Sequence, residues 1–300
     1  MTDTQNPRPC PVCAQPFDHG GNAFTCASCG LELQDSGKGI YLAGTGESLN
    51  YPEDAADLTS QVEETSFWFA HRNRVLGDLV AQFPVDGPIW DVGGGNGFQA
   101  LYFQSLGHPA VLVEPGIAGC MTGARRGLDA VICGTLEQLQ LGNDQLAGIC
   151  MLDVLEHLPD PAGLLTESFR VLRPGGQVFI TVPAFEFLWS DEDDYAHHHR
   201  RYTSATLGDS LLQAGFEIQF LSYYFQSLVL PILLLRTAPF RLRAMLGRKR
   251  ELTMDQSEHA PGGIAQKVVD TLLNGERRKL RDRRRLGFGS SVIAVCKKPI

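Results

Sequence analysis

Short apolar runs alternate with helical stretches through the middle of the chain, and this alternation is the feature that most limits the possible folds. Five runs predict strands: Ile89–Val92, Ala110–Val113, Ala130–Ile132, Gly148–Leu152 and Gln177–Val182. Helices are predicted near Gly97–Leu106, Ile117–Arg126, Pro161–Leu172 and Thr206–Ala214. Strands that alternate with helices predict a parallel sheet covered by helices on both faces. The chain is therefore expected to adopt an α/β fold.

Further elements surround this alternating region. Two final strands are predicted at Glu217–Phe225 and Ser291–Lys297, and residues 226–290 between them are long enough for two or three helices. A helix is predicted from Glu63 to Phe83, where apolar residues recur near helical spacing. Residues 41–60 are polar, contain Gly, Pro and Asp, and predict a linker. The expected organisation is a separate N-terminal segment (1–40), a linker (41–60) and a main domain (61–300) with a helical insertion (226–290).

A glycine-rich turn follows the first predicted strand and carries the strongest chemical signal. Its sequence, residues 91–97, is DVGGGNG. Glycines at 93, 95 and 97 allow a sharp turn and a close approach to a ligand, although an ordinary strand-to-helix turn can also use them. The dinucleotide pattern, counted from Gly93, needs a glycine at position 98, which is Phe98. The next strand leads to Glu114, whose carboxylate is placed to accept hydrogen bonds from a ribose diol.

Together these motifs resemble those of class I S-adenosylmethionine (SAM) dependent methyltransferases. The glycine turn resembles their acidic-x-G-x-G-x-G loop. Residues 148–158 (GICMLDVLEHL) and 171–183 (VLRPGGQVFITVP) resemble their fourth and fifth strand segments, especially those of quinone-biosynthesis O-methyltransferases and their relatives. The resemblance covers about residues 85–225. It implies a seven-stranded Rossmann-like sheet in the order 3-2-1-4-5-7-6, with strand seven antiparallel.

The resemblance also implies a set of cofactor-binding residues. The methionine end of SAM would be lined by the glycine loop, namely Asp91, Gly93, Gly95 and Gly97. Glu114 would hold the ribose, Thr135 and Leu136 would flank the adenine, and Asp153 would lie beside the sulfonium. Carboxylates suit that end of the cofactor because SAM carries a positive sulfur and an ammonium group.

An arginine on the predicted first helix is a further candidate for the cofactor site. Residues 64–76, ETSFWFAHRNRVL, resemble the first helix of uncharacterised bacterial methyltransferases that are often linked to glycan or lipid biosynthesis. Arg72 on such a helix could pair with the SAM carboxylate. The alternative is a capping helix packed by its aromatic residues, with Arg72 in solvent.

An acidic, histidine-rich segment follows the fifth predicted strand. Residues 191–202 read DEDDYAHHHRRY, and in the resembled subgroup such a segment borders the acceptor pocket. A histidine can remove a proton from an acceptor hydroxyl near neutral pH, which makes His198, His199 and His157 the candidates for the general base. A charged surface loop and a metal site are the alternatives. Adjacent histidines argue against a metal because their side chains point apart in extended backbone.

Four cysteines near the N-terminus predict a structural metal site. They form two C-x-x-C pairs, Cys10–Cys13 and Cys26–Cys29, with twelve residues between the pairs. Two such pairs can place four thiolates around one Zn²⁺ ion, as in a zinc ribbon, and leave no open position for catalysis. A redox role is the disfavoured alternative because thiols of an intracellular protein are kept reduced. The other four cysteines fall in or beside apolar elements, where they are expected to be buried.

The formal net charge of −8 hides a strong asymmetry. Residues 1–225 contain 10 Lys and Arg against 28 Asp and Glu, whereas residues 226–300 contain 16 against 6. The basic part opens with the apolar run SLVLPILLL, and six cations follow within residues 236–250. This pattern favours peripheral contact of residues 226–250 with an anionic membrane surface, and internal packing of the leucines is the alternative. A second basic run, residues 276–285 (ERRKLRDRRR), is predicted to be helical and solvated.

The sequence therefore predicts a SAM-dependent methyltransferase that acts on a small or lipid-linked acceptor, with O-methylation in glycan, lipid or quinone-type biosynthesis favoured. Residues 152–161, LDVLEHLPDP, do not match the Asn/Asp-Pro-Pro-aromatic motif of nucleobase amino-methylases. An RNA methyltransferase that uses the zinc ribbon and basic segment, or a non-catalytic SAM-binding subunit, are the alternatives. The N-terminus lacks a basic-then-apolar signal pattern, so a cytoplasmic location, peripheral at the inner membrane face, is expected.

Overall fold

The computed structural model describes residues 10–15, 18–20, 23–36, 39–43, 63–247 and 263–300. The strands of the described N-terminal residues are short. They are β1 (Asp18–Gly20), β2 (Ala23–Thr25), β3 (Glu32–Asp35) and β4 (Tyr41–Leu42).

Strands and helices then alternate along the rest of the described chain. The first part contains α1 (Phe67–Gln82), β5 (Ile89–Val92), α2 (Phe98–Ser105), β6 (Ala110–Glu114), α3 (Ile117–Arg125), β7 (Ala130–Cys133), β8 (Leu146–Leu152) and α4 (Pro161–Val171). The second part contains β9 (Leu172–Pro183), α5 (Asp191–Tyr195), α6 (Ser204–Gln213), β10 (Glu217–Tyr224), α7 (Val229–Ile232), a π-helical turn (Leu233–Thr237), α8 (Ala238–Met245), α9 (Gly263–Arg281) and β11 (Ser291–Lys297). Short 3₁₀ turns lie at Glu137–Leu139, Leu155–His157, Glu186–Leu188 and Gln226–Leu228.

The seven strands predicted from the sequence are all present and lie in the predicted order. The sheet runs β7-β6-β5-β8-β9-β11-β10, which is 3-2-1-4-5-7-6 when these strands are numbered along the chain. The last strand, β11, is antiparallel to both of its neighbours. Every residue of β5, β6 and β8 is buried, as parallel strands covered on both faces require.

The predicted size of the sheet was wrong, because the described strands form one sheet of eleven. The four N-terminal strands continue it beyond β7, and β4 pairs in parallel with β7 through Tyr41–Ile132 and Leu42–Cys133. The predicted linker includes Tyr41 and Leu42, but these two residues form the strand that attaches the N-terminal strands to the main domain. Residues 44–60 of the predicted linker lie outside the described residues.

The insertion leaves the sheet at the edge where strands β5 to β9 end. We call this edge the carboxyl edge. Strand β10 also ends here and β11 begins here, because β11 is antiparallel to its neighbours β9 and β10. Helix α9 packs back on α1, with Leu273 and Leu280 buried and Arg277 bound to Asp78 through two hydrogen bonds of 2.6 and 2.8 Å. The prediction that residues 276–285 are solvated was therefore wrong for Glu276, which is buried, and for Leu280.

The leucine-rich part of the insertion turns several of its leucines outward, whereas Leu228 packs against the core. Leu230, Leu234, Leu235 and Leu242 are all more than half exposed. Its arginines point the other way: Arg236 binds Glu192 and Arg243 binds Asp191, both on α5. Among the described residues, no helix has the length and apolar content needed to cross a bilayer.

Candidate cofactor and acceptor site

The glycine loop connects β5 to α2 at the carboxyl edge. Gly93, Gly95 and Gly97 have φ angles of 70°, 54° and 72°, in the left-handed region that strains other residues. The amide of Gly95 donates to Glu114 Oε2 at 2.9 Å, which ties the loop to the end of β6. The glycines therefore serve a turn whose shape is fixed by the carboxylate predicted to bind ribose.

Glu114 lies almost fully buried at the end of β6. Its second oxygen, Oε1, accepts a hydrogen bond from the Gly116 amide at 2.7 Å. Burial raises the pKa of Glu114, and the amides of Gly116 and Gly95 oppose that rise. A carboxylate has about four acceptor sites, so two amide donors leave capacity for a ribose diol.

Asp91 is buried in β5, directly before the glycine loop. Its Oδ2 accepts a hydrogen bond from the Ala100 amide of α2 at 3.1 Å. Burial raises the pKa of Asp91 to about 7, although the nearby charge of Arg72 opposes the shift. Asp91 therefore holds the first turn of α2 in place behind the glycine loop.

Arg72 joins α1 to the ends of two strands. Its Nη1 donates to Asp153 Oδ2 at 2.8 Å, and Asp153 Oδ1 accepts from the Thr181 hydroxyl of β9 at 3.2 Å. The guanidinium lies 4.9 Å from the ring centre of Trp68 and 5.0 Å from that of Phe69. Only 7% of Arg72 is exposed, which excludes the solvated alternative, and its buried Nε has no partner among the described residues.

The predicted adenine-flanking residues follow β7. Thr135 is half-buried, and its hydroxyl accepts a hydrogen bond from the Gln138 amide at 3.3 Å. Leu136 is fully buried in the core. The N-terminal strands reach this position, since the Ala43 amide donates to the Cys133 carbonyl at 3.0 Å.

His198 is oriented by a buried carboxylate. Its Nδ1 lies 2.8 Å from Asp193 Oδ1, and Arg201 donates to both oxygens of Asp193 at 2.7 and 2.9 Å. Burial alone would raise the pKa of Asp193, but hydrogen bonds from His198 and Arg201 lower it to about 2. The ionised Asp193 thus engages Nδ1 of His198 and leaves Nε2 as the nitrogen that can face an acceptor.

His157 and Glu156 lie beside His198. The two imidazole rings are 4.7 Å apart and nearly perpendicular. Burial, followed by the neighbouring His198, lowers the pKa of His157. Glu156 is fully buried, its two carboxylate oxygens have no hydrogen-bond partner in the described structure, and burial raises its pKa well above the ordinary value.

This cluster also has the composition of a cation site. One possible ligand atom from each of Glu156, His157 and His198 lies within 4.8 Å of the others. Adjacent histidines in extended backbone disfavour a shared metal, but Glu156 and His157 reach His198 from a different segment, and Glu156 was not among the predicted site residues. The Glu-His pair directly after the fourth strand was the available signal. His199 does not join the cluster: it is exposed, and its backbone amide donates to the Glu156 carbonyl at 2.8 Å.

The four N-terminal cysteines converge as the sequence predicted. The sulfurs of Cys10 and Cys29 are 3.5 Å apart, those of Cys13 and Cys26 are 3.3 Å apart, and all four lie within 4.8 Å of one another. Burial raises the pKa of Cys26, but backbone hydrogen bonds, first that of Cys29, lower it to about 7. Four converging sulfurs with backbone donors fit a closed tetrahedral Zn²⁺ site.

Comparison with known proteins agrees with this fold. The methyltransferase domain family matches residues 67–220, a little over half of the chain. A probable S-adenosylmethionine-dependent methyltransferase of Mycolicibacterium smegmatis is 27% identical over 182 residues, which are 58% of this chain and 70% of that protein. The ubiquinone biosynthesis O-methyltransferase of Pseudomonas fluorescens is 28% identical over 101 residues, 31% of this chain and 43% of that protein.

A solved structure extends the similarity of the fold. The complex between the Haloferax volcanii Trm112 methyltransferase activator and a methyltransferase aligns with a TM-score of 0.54 and 16% identity, over 84% of this chain and 100% of that chain. The sheet order and the glycine loop define a class I SAM-dependent methyltransferase. The chain belongs to the methyltransferase domain family and is such an enzyme.

Proposed function

We propose that this enzyme transfers the methyl group of SAM to a hydroxyl of a small or lipid-linked acceptor. The observation that carries the proposal is the Asp193–His198 pair beside His157. A histidine held by an ionised carboxylate is suited to accept a proton from an acceptor hydroxyl. The similarity to a ubiquinone biosynthesis O-methyltransferase supports oxygen as the acceptor atom.

The cofactor would lie along the carboxyl edge. Glu114 would accept the ribose hydroxyls, and Thr135 would border the adenine. Arg72, whose Nε faces no protein partner among the described residues, would bind the SAM carboxylate. Asp153 would then lie near the ammonium and sulfonium charges, which its carboxylate stabilises.

The residues of the chain act mainly by positioning and by moving one proton. The acceptor oxygen attacks the methyl carbon in line with the carbon–sulfur bond, whose electron pair stays on sulfur as S-adenosylhomocysteine forms. The hydroxyl proton passes to Nε2 of His198. The hydrogen bond from Nδ1 to Asp193 stabilises the positive imidazolium that results.

The cysteine cluster would hold one structural Zn²⁺ ion. With four thiolate ligands the ion has no open position for a substrate, so its contribution is to the folding of the N-terminal strands. The support comes from the four converging sulfurs.

The outward leucines of the insertion would dock on an anionic membrane surface, which would bring a lipid-linked acceptor to the carboxyl edge. Flotation with vesicles of phosphatidylglycerol and phosphatidylcholine tests this. The protein should float in low salt, and Leu234→Gln with Leu235→Gln should abolish flotation. Leu212→Gln, an equally exposed leucine of α6, is the matched control. Retention in the soluble fraction with every vesicle would contradict membrane docking.

Methyl-labelled SAM incubated with cell lipid, glycan and RNA fractions tests the acceptor. Label in a lipid or glycan fraction that is stable as a methyl ether is expected. His198→Ala should abolish this labelling, whereas His199→Ala, the exposed neighbour, should preserve it. Label in RNA, or none in any fraction, would reject the proposed acceptor. Loss of labelling on chelation that leaves the cysteine site loaded would assign Glu156, His157 and His198 to a cation instead of a base.

A further inference from the structure

Glu276 lies at the point where the insertion meets the carboxyl edge. It belongs to α9, and only 5% of it is exposed. Its Oε1 accepts a hydrogen bond from the Phe225 amide at 2.7 Å, and its Oε2 accepts one from the Gln226 amide at 2.6 Å. Oε1 also lies 3.1 Å from Nε2 of the fully buried His71 on α1. One carboxylate thus connects α9, the end of β10 and α1.

The backbone amides at the Phe225 turn need a hydrogen-bond acceptor from outside the sheet. Phe225 has φ 59° and ψ 44°, a left-handed conformation that is unfavourable for a phenylalanine. The chain turns away from β10 here, so the amides of Phe225 and Gln226 lie beyond the strand ladder. Buried amides without partners are costly, and the carboxylate of Glu276 satisfies both at once.

The same turn fixes the position of the aromatic rings of Phe225 and Trp68 beside Arg72. The ring of Phe225 stacks on that of Trp68 with centres 5.3 Å apart and an angle of 10°. The ring of His71, which Glu276 also holds, lies 5.1 Å from that of Phe225. Trp68 in turn lies against the guanidinium of Arg72, whose Nη1 binds Asp153.

We infer that Glu276 is a positioning residue for the methionine end of SAM. It acts through Phe225 and His71 on Trp68, and through Trp68 on the guanidinium of Arg72. This inference rests on the proposed binding of the SAM carboxylate by Arg72. It makes the insertion part of the cofactor site, although the insertion lies outside the residues that match the family, 67–220.

Two ligands that differ only at the amino-acid end test the inference. S-Adenosylhomocysteine carries the carboxylate, whereas 5′-methylthioadenosine lacks the amino-acid part. Calorimetry on the full chain should show that Glu276→Ala weakens S-adenosylhomocysteine about tenfold, the loss typical of one positioned hydrogen bond. Binding of 5′-methylthioadenosine should stay within about twofold, because the adenosine contacts lie on the other strands. Glu276→Gln, which keeps one acceptor oxygen, should fall between Glu276→Ala and the unchanged protein.

Matched variants distinguish a wrong role for Glu276 from a wrong role for Arg72. Asp282→Asn changes an exposed carboxylate just after α9 and should alter neither affinity. Arg72→Met should reproduce the selective loss, and adding Glu276→Ala to it should cause no further loss. If Arg72→Met leaves S-adenosylhomocysteine binding intact, the proposed role of Arg72 is wrong. If Arg72→Met is selective but both Glu276 variants bind normally, or weaken both ligands equally, positioning by Glu276 is wrong. Should Glu276→Ala fail to fold, Glu276→Gln alone decides the matter.

Discussion

Two additions flank the seven-stranded core, and they attach to it by different kinds of contact. The N-terminal strands join the core through backbone hydrogen bonds between β4 and β7, beside the predicted adenine end of the site. The insertion is bound mainly by side chains, among them Glu276, Arg277 and Arg243, at the opposite end. Backbone pairing fixes a register along a whole strand, whereas side-chain contacts act one residue at a time. The N-terminal strands should therefore unfold as one unit, whereas a single substitution in the insertion should loosen only the contact that it removes.

Loss of the proposed Zn²⁺ ion is the largest expected perturbation of the N-terminal strands. Structural Zn²⁺ sites in small domains contribute about 10–16 kcal/mol to folding. Cys26→Ser with Cys29→Ser should therefore remove bound zinc and abolish hydrogen-exchange protection over the described part of residues 10–43, while β8 and β9 remain protected. Binding of both S-adenosylhomocysteine and 5′-methylthioadenosine should weaken, because β4 pairs with β7 next to Thr135.

The double variant Cys120→Ser with Cys150→Ser alters two buried thiols outside the cluster and should retain zinc. Unchanged exchange protection in the zinc-free protein would show that the N-terminal strands fold without metal, and the contrast with the insertion would lose its basis.

Removal of the Asp193 carboxylate should give the next largest effect and a distinct dependence on pH. The pKa of Asp193 is lowered from 3.8 to about 2, so its stabilisation is present above pH 4 and is lost as the pH falls toward 2. A shift of this size corresponds to about 2 kcal/mol of unfolding free energy. Asp193→Asn should be less stable than the unchanged protein at pH 7, and the difference should shrink between about pH 4 and 2.

Urea unfolding of both proteins across this pH range measures the difference. Asp194→Asn, an exposed neighbour, serves as the control. A stability difference that does not vary with pH would mean that the ionised form of Asp193 is not what His198 and Arg201 stabilise.

Glu114→Ala should weaken SAM binding at the adenosine end. Truncating a charge-assisted hydrogen-bonding group costs about 1.5–3 kcal/mol, or roughly ten- to a hundred-fold in affinity. Unlike the Glu276 variants, it should weaken 5′-methylthioadenosine as much as S-adenosylhomocysteine. Glu137→Ala, an exposed residue near β7, is the control, and calorimetry with both ligands provides the comparison. Normal affinity in a folded Glu114→Ala protein would remove Glu114 from the site.

The smallest change in stability is expected when an ion pair between the insertion and α5 is removed. Partly exposed ion pairs such as Arg243–Asp191 contribute about 0–1 kcal/mol. Arg243→Gln should therefore leave the melting temperature nearly unchanged and raise proteolysis within residues 229–247 only modestly. Arg278→Gln alters an exposed arginine of α9 and is the control. A large drop in stability would indicate that the insertion and the core unfold as one unit.

Much of the core was predictable because its signals are local. Apolar runs, the glycine turn and two C-x-x-C pairs each need only a few consecutive residues, and the structure contains the predicted strands and sulfur cluster. The strand order, which such local signals do not specify, was implied by the resemblance to class I SAM-dependent methyltransferases. The missed features depend on residues distant in sequence. Glu156 meets His198 across 42 positions, and Glu276 reaches His71 across 205. Strand β4 was also missed, since two residues are too few to show a periodic pattern.

The pairing of β4 with β7 has a further consequence for solubility. Without the N-terminal strands, β7 would present an unpaired row of backbone donors and acceptors at the border of the sheet, where another chain could add a strand. With them, the border on this side is β1, a strand of only three residues. A short border strand offers a poor template for intermolecular pairing. If the cysteine cluster holds the proposed Zn²⁺ ion, zinc starvation should therefore promote aggregation of the newly made protein before it affects the chemistry of the finished enzyme.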